Sequence, residues 1–245
     1  MPRSEAVRRI KFGQVQVGGT VVHDPGMQLT AGKDVVWRGL QVRPYGHLHV
    51  MLHKPAGLVS STEESDGPSV LSVLPESLRH KDLAPIGRLD KDTTGLLLLT
   101  TDGGVQHLLT HPKRHLDKQY LVQLAEPLPA DAAERFAAGI VLADGTVCQP
   151  AALWTDGLQA RVVLREGKYH QVKRMIAACG SAVVGLHRER IGPLWLPTDL
   201  STGSARRLTE AELAELIDTI TDGKARPGGP VVQFPPTSGP EPTNA

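Results

Sequence analysis

The stretch Gly87-Arg-Leu-Asp-Lys-Asp-Thr-Thr-Gly-Leu-Leu-Leu-Leu-Thr-Thr-Asp-Gly103 decides how this chain is read. Its four consecutive leucines, Leu96–Leu99, are bounded by Gly95 and by a polar Thr-Thr-Asp-Gly segment. That run is too short for a buried helix and has the length of a strand covered on both faces. A polar loop carrying Arg88, Asp90 and Asp92 leads directly into it. In an extended segment alternate residues share a face, so Arg88 and Asp90 can address one cleft. On residue chemistry alone, Asp90 could equally make a turn or cap a helix.

Around this strand, from His47 to Leu208, short strands alternate with short helices. The strand candidates are Leu48–Leu52, Gly95–Thr100, Gln119–Leu124, Val147–Trp154, Ala160–Leu164 and Ala182–His187. The helix candidates are Ser69–Leu78, Ala130–Ala138 and His170–Ala178. Several strands follow one another with no helix between them, which predicts an α+β fold with a mixed, largely antiparallel sheet and flanking helices. Thr209-Glu-Ala-Glu212 reads as a capping box opening a helix that carries Leu213, Leu216, Ile217 and Ile220 on one face. The last 23 residues hold four Gly and six Pro, a composition that cannot bury enough surface to offset its ordering entropy, so residues 223–245 are expected to be a disordered tail. At the other end, Ser4–Ile10 reads as a short basic helix, Val15–Val22 as a hairpin turning at Gly18-Gly19, and Asp34–Trp37 as a further strand, with Arg38–Gly46 a linker. Three parts follow: a small α+β unit over 1–42, a larger domain over 47–222, and the tail.

Two further segments carry unusual polar groups. Glu166-Gly-Lys-Tyr-His-Gln-Val-Lys-Arg-Met-Ile176 leaves a strand and enters a helix, with Lys168, His170, Lys173 and Arg174 near the helix start, where basic side chains and free backbone N–H groups can cradle a phosphate. Lys118-Gln-Tyr120 puts a tyrosine on an otherwise aliphatic strand. Only 4% of the chain is aromatic, so each ring is a candidate platform for a base. A core tyrosine with a satisfied hydroxyl explains it as well. His107, His111 and His115 are spaced four apart, but Pro112 interrupts any helix there and no thiolate or carboxylate pattern completes a zinc site, so no metal is expected. No glycine-rich nucleotide loop and no Ser or Cys nucleophile signature is present.

The chain's 27 basic and 26 acidic residues leave a formal charge of +1, which hides a division along the sequence. Residues 1–50 carry seven Lys or Arg against three acids, and residues 161–190 carry seven against two; the segments 51–78, 119–160 and 191–245 are acidic. Phosphate binding depends on local basic surface, so neutrality overall does not exclude a nucleic acid. No apolar run approaches the ~20 residues that span a bilayer. Two cysteines, Cys148 and Cys179, are too few for a disulfide framework, and a reducing cytoplasm is the default location.

Taken in order, the three motifs resemble the pseudouridine synthases of the RsuA type. Gly87-Arg-Leu-Asp-x-x-Thr-x-Gly-Leu-Leu-Leu-Leu-Thr-x-Asp-Gly103 resembles that family's catalytic motif and Lys118-x-Tyr120 its second. Glu166–Met175, with Leu186-His-Arg-Glu-Arg-Ile-Gly192, resembles its third. His53-Lys-Pro-x-Gly57 resembles its opening strand and turn, where Asn more often stands in place of His53. The resemblance covers roughly residues 47–217. The N-terminal unit, through Ser4-Glu-Ala-x-Arg-Arg-Ile-x-x-Gly13 and Val15-x-Val-x-Gly-Gly19, resembles the S4-like RNA-binding domain, with Arg3, Arg8, Arg9 and Lys11 as its basic contacts. The sequence begins after the place where that domain's usual first helix would stand, so the module is expected to lack it.

The resemblance implies isomerisation of a uridine to pseudouridine with no cofactor, metal or redox step. It assigns the essential carboxylate to Asp90, its basic partner to Lys173 and a ring stacked on the target base to Tyr120. Arg88 would fill the gap left by the flipped base, Leu186 would form an apolar wall, and Lys168, His170 and Arg174 would contact phosphates. The spelling Tyr-His-Gln-Val-Lys-Arg-Met with Leu-His-Arg-Glu-Arg-Ile-Gly resembles the small-subunit enzymes, which implies a uridine in 16S ribosomal RNA, free or in an assembling subunit. The alternatives are a 23S target or a non-catalytic ribosome-assembly protein. A monomer is expected.

Overall fold

Leu96, Leu97, Leu98 and Leu99 are all fully buried, and they alternate between two cores on opposite faces of one sheet. The computed structural model of the chain describes residues 3–29, 34–42, 46–62, 66–111 and 116–221. The chain divides between His47 and Leu48 into two units.

The first unit is a nine-residue helix α1 (Arg3–Lys11) followed by four short strands, β1 (Val15–Val17), β2 (Thr20–Val22), β3 (Val35–Trp37) and β4 (Leu40–Val42), in the antiparallel order β2-β1-β3-β4. Gly18 and Gly19 both take positive φ in the tight turn of the first hairpin. The linker expected over Arg38–Gly46 is corrected in part. The chain reverses at Arg38-Gly39, both with positive φ, and Leu40–Val42 returns as β4 against β3. That turn was missed because it carries an arginine where a hairpin signal expects Asn or Asp. Residues 43–45 of the expected linker lie outside the described residues.

The second unit is a nine-stranded mixed sheet. In chain order it contains β5 (His49–Lys54), β6 (Ala84–Ile86), β7 (Thr94–Thr100), α2 (Gly103–Thr110), β8 (Lys118–Leu124), α3 (Ala132–Ala138), β9 (Ala152–Asp156), β10 (Gln159–Leu164), α4 (Gln171–Ala178), β11 (Val183–Ile191), β12 (Leu194–Trp195), β13 (Ala205–Arg207) and α5 (Glu210–Thr221). The sheet order is β13-β5-β7-β11-β8-β10-β9, with β6 on β7 and β12 on β11. Every pairing is antiparallel except β7 with β11, which run parallel through Thr94-Gly95 and His187-Arg188. Leu97 and Leu99 pack in the larger core with Val50, Leu52, Tyr120, Val122 and Met175. Leu96 and Leu98 pack on the other face with Met51, Ile86, Ile191 and Leu216 of α5. Each fully buried leucine contributes ~1.5–3 kcal/mol, so the position of β7 is strongly determined.

Two further expectations are corrected. The helix expected over Ser69–Leu78 is a series of turns ending in one 3-10 turn, Glu76–Leu78. Ser69 Oγ bonds Ser61 O and Ser72 Oγ bonds Ser69 O, while Pro75 brings no N–H; the buried Val70, Leu74 and Leu78 supply helical spacing without a helix. The strand expected over Val147–Trp154 begins only at Ala152. Val147 makes an isolated bridge to Val141, and Pro150 cannot join a ladder. The capping box forms as read: Thr209 N–H donates to Glu212 Oε2 and Glu212 N–H to Thr209 Oγ1. The tail 223–245 and His115 lie outside the described residues.

Candidate active site

The loop between β6 and β7 carries Arg88, Asp90 and Asp92, and it is fixed from beneath. Ser60 Oγ donates to Leu89 O at 2.8 Å and accepts from Leu89 N–H at 3.0 Å. Leu89 is buried between the exposed Arg88 and the partly exposed Asp90. The ammonium of Lys54, at the end of β5, is fully buried and donates to Pro55 O, Lys91 O and Thr93 O at 3.0, 3.3 and 2.8 Å. Gly57 N–H adds a bond to Lys91 O at 2.7 Å. Burial pushes the Lys54 ammonium down to about 8, against the opposing pull of Asp92 and Asp90. The strand-and-turn segment His53–Gly57 therefore anchors the loop through the buried Lys54, a role its polar spelling did not disclose.

Asp90 projects from this loop toward the start of α4. Lys173 Nζ lies 3.3 Å from Asp90 Oδ2, and His170 Nε2 lies 3.6 Å from Asp90 Oδ1. The same ammonium donates to both oxygens of Asp92, at 2.6 and 2.8 Å. Burial opposes the charge of Lys173, but the bond to Asp92 and the fields of Asp90 and Asp92 outweigh it, so its pKa is held above the ordinary lysine value. Asp92, hydrogen-bonded by Lys173, is held below the ordinary carboxylate range. The loop thus brings two carboxylates to one ammonium, whose charge favours the ionised form of Asp92.

Two strands away from β7, Tyr120 is buried on β8, and its Cα partner on β11 is Arg188. Arg188 is 2% exposed; its Nε donates to Leu96 O at 2.8 Å and its Nη1 reaches the Tyr120 hydroxyl at 3.5 Å. Its guanidinium carbon stands 6.0 Å from the Tyr120 ring centre, and its Nη2 is buried with no partner among the described residues. Gly95 makes this possible: a Cβ there would fall 2.3 Å from Arg188 O. Leu186, two residues before Arg188, is buried in the same core as Leu89 and Tyr120.

The family model described as RNA pseudouridylate synthase matches residues 48–178, which span the Asp90 loop, Tyr120 and the start of α4. The ribosomal small subunit pseudouridine synthase A of Escherichia coli (strain K12) is 44% identical over 218 residues, covering 88% of this chain and 94% of that protein. The chain belongs to the RNA pseudouridylate synthase family. The protein of the same name from Vibrio cholerae is 43% identical, over 87% of this chain and 93% of its own length. Among solved structures, one described as a crystal structure of pseudouridylate synthase superposes with a TM-score of 0.66 at 36% identity, over 88% of this chain and 94% of that one. The mixed α+β fold and the isomerase class follow from these matches.

Not every residue put forward from the sequence converges on this cluster. Asp90, Lys173 and His170 meet directly, and His170, expected among the phosphate contacts, touches the carboxylate instead. Arg88 is exposed and makes no hydrogen bond or ion pair among the described residues. Lys168 is bound to the buried Glu166, whose other oxygen accepts from Gln149 N–H and Gln171 Nε2. Arg174 pairs with Asp144 at 2.5 Å. In the first unit Arg8 and Lys11 are exposed, whereas Arg9 is taken by Glu5 at 2.9 Å and Gln14 at 3.0 Å. Arg3 opens α1, its side chain lying outside the described residues. Sequence reasoning missed Lys54, Asp92 and Arg188 as parts of the site. Each stands inside a motif already quoted, but the burial of Lys54 and Arg188 and the sharing of Lys173 by Asp92 depend on residues far along the chain.

Proposed function

We propose that this chain isomerises one uridine of the small-subunit (16S) ribosomal RNA to pseudouridine, with Asp90 as the essential carboxylate. The observation that carries the reading is Asp90 held 3.3 Å from the Lys173 ammonium on a loop fixed by buried hydrogen bonds. The substrate assignment is supported by the relatives more than 40% identical over most of their length, which are named for the small ribosomal subunit.

The reaction breaks the bond between N1 of the base and C1′ of the ribose and forms one from C5 to C1′. The C5 hydrogen leaves and N1 gains one, so the sum is an isomerisation that needs no oxidant. Asp90 would act on the sugar or on the ring, with the Lys173 ammonium 3.3 Å away as its counter-charge. A pair at ~3.3 Å attracts by ~5 kcal/mol at an effective dielectric of ~20, before desolvation. Tyr120 would lie against the base, with Leu186 forming the apolar wall behind it. Extruding the uridine from its stack costs a few kcal/mol, and the exposed Arg88 is free to occupy the gap. Lys168 and Arg174 would meet phosphates after exchanging their present carboxylate partners. Residues 1–42 would serve as an S4-like RNA-binding module through Arg3, Arg8, Arg9 and Lys11, and residues 47–222 as the catalytic domain. Such an enzyme would work as a monomer on ribosomal RNA or an assembling subunit in the cytoplasm.

Carbodiimide mapping of ribosomal RNA from a strain lacking the gene tests the substrate directly. One pseudouridine stop should vanish from the small-subunit RNA and return on complementation; a stop lost from the large-subunit RNA instead would refute the assignment.

A further inference from the structure

Tyr169 is 76% exposed, more than any other large apolar or aromatic side chain among the described residues. It is not a loose ring. Tyr169 and His170 stack with their centroids 3.8 Å apart and their planes 19° from parallel. Neighbouring residues place their rings face to face here because His170 takes a left-handed backbone conformation, φ 49° and ψ 34°. A non-glycine residue rarely adopts that conformation, and it persists only where the surroundings impose it. At the edge of the His170 ring Nε2 lies 3.6 Å from Asp90 Oδ1, and Arg174 Nη1 donates to Tyr169 O at 3.4 Å. One face of the tyrosine is therefore covered by the imidazole, and the ring stands one ring-thickness beyond the group that touches Asp90.

We propose that Tyr169, backed by His170, is a stacking platform for an RNA base neighbouring the target uridine. The inference rests on the reading that the chain acts on RNA, and it adds a subsite that the isomerisation itself does not require. Extruding the uridine leaves its neighbours without a stacking partner, and a fixed aromatic face restores that contact for any base, because every base has a π-face. Two-ring stiffness matters, since a ring already ordered loses little freedom when a base settles on it. His170 thereby links the platform to Asp90, because the imidazole that backs Tyr169 also has its Nε2 3.6 Å from that carboxylate.

The test compares Tyr169→Ala, Tyr169→Phe and Tyr169→Trp with the wild type. One readout is tritium release from C5-labelled small-subunit RNA, and the other is the Kd for a protein-free fragment of that RNA. Tyr169→Ala should raise both KM and Kd about tenfold. Its kcat should change far less, and its melting temperature should not change because the ring is exposed. Phe and Trp, which keep the face and lose the hydroxyl, should restore binding to within about twofold. Equal losses in Ala and Phe would overturn the proposal by giving the role to the hydroxyl, and wild-type binding by Ala would overturn it outright. A KM defect without a Kd defect would also overturn it, because the ring would then act on a step after binding and would not hold a base. If the wild type releases no tritium from small-subunit RNA, the substrate assignment is what fails, and the same variants are compared on large-subunit RNA.

Discussion

The guanidinium of Arg188 is buried against Tyr120, with Nη1 3.5 Å from the phenol oxygen and the ring centre 6.0 Å away. A buried cation facing a hydroxyl makes that oxygen the acceptor and turns the phenol hydrogen away from it. The expected consequence is that Arg188 acts through Tyr120. Arg188→Met should lower stability by ~1–3 kcal/mol, because Leu96 O loses its donor. It should also slow tritium release by tenfold or more. In a Tyr120→Phe background the same substitution should cost stability but little further rate. A double-mutant cycle in kcat gives the answer, and additive losses would mean that Arg188 acts independently of the hydroxyl.

Lys173 is shared between Asp90 and Asp92. Lys173→Met should leave two carboxylates close together without a cation, and turnover should fall at least a hundredfold while RNA binding persists. Asp92→Asn removes the group that contributes most to raising the Lys173 pKa. Its folded value should then fall, and the alkaline limb of the kcat profile should move to lower pH. An unmoved limb would show that Lys173 does not control it.

Gly95 has φ 106°, and a Cβ there would fall 2.3 Å from Arg188 O and 2.6 Å from Arg188 N. The parallel pairing of β7 with β11 depends on that bare backbone. Gly95→Ala should cost ~3 kcal/mol or more by denaturant unfolding, far beyond the loss expected from ordinary strand substitutions.

These features mark the boundary of what the sequence discloses. The four leucines of β7, the Gly-Gly hairpin and the Thr209 capping box were legible because period, turn chemistry and cap chemistry are local. Asp90 and Lys173 were legible as motif members, 83 residues apart, though not that Asp92 would take the same ammonium. The turns at Ser69–Leu78 imitate helical spacing, and only their serine-to-carbonyl bonds and Pro75 distinguish them. The burial of Lys54 and Arg188 is set by strand neighbours far along the chain, so no local pattern announces it.

Arg206 bonds both oxygens of Glu212, which also closes the cap of α5. This holds the Glu212 carboxyl down to about 2 from its ordinary 4.5. Because the folded-state value is depressed, the stabilisation is complete above about pH 4.5 and is lost as pH falls toward 2. After allowing for partial exposure it amounts to ~1–2 kcal/mol. Glu212→Gln should lower stability at pH 7 by about that amount and flatten the stability profile between pH 4.5 and 2, as read by urea unfolding across that range.

The central claim is that the Asp90 carboxylate carries the chemistry. Asp90→Asn keeps the size and most of the hydrogen bonding of the side chain while removing its charge. Tritium release from C5-labelled small-subunit RNA measures the isomerisation itself. The variant should fold and bind RNA as the wild type does and release no tritium above background; release at the wild-type rate would contradict the account.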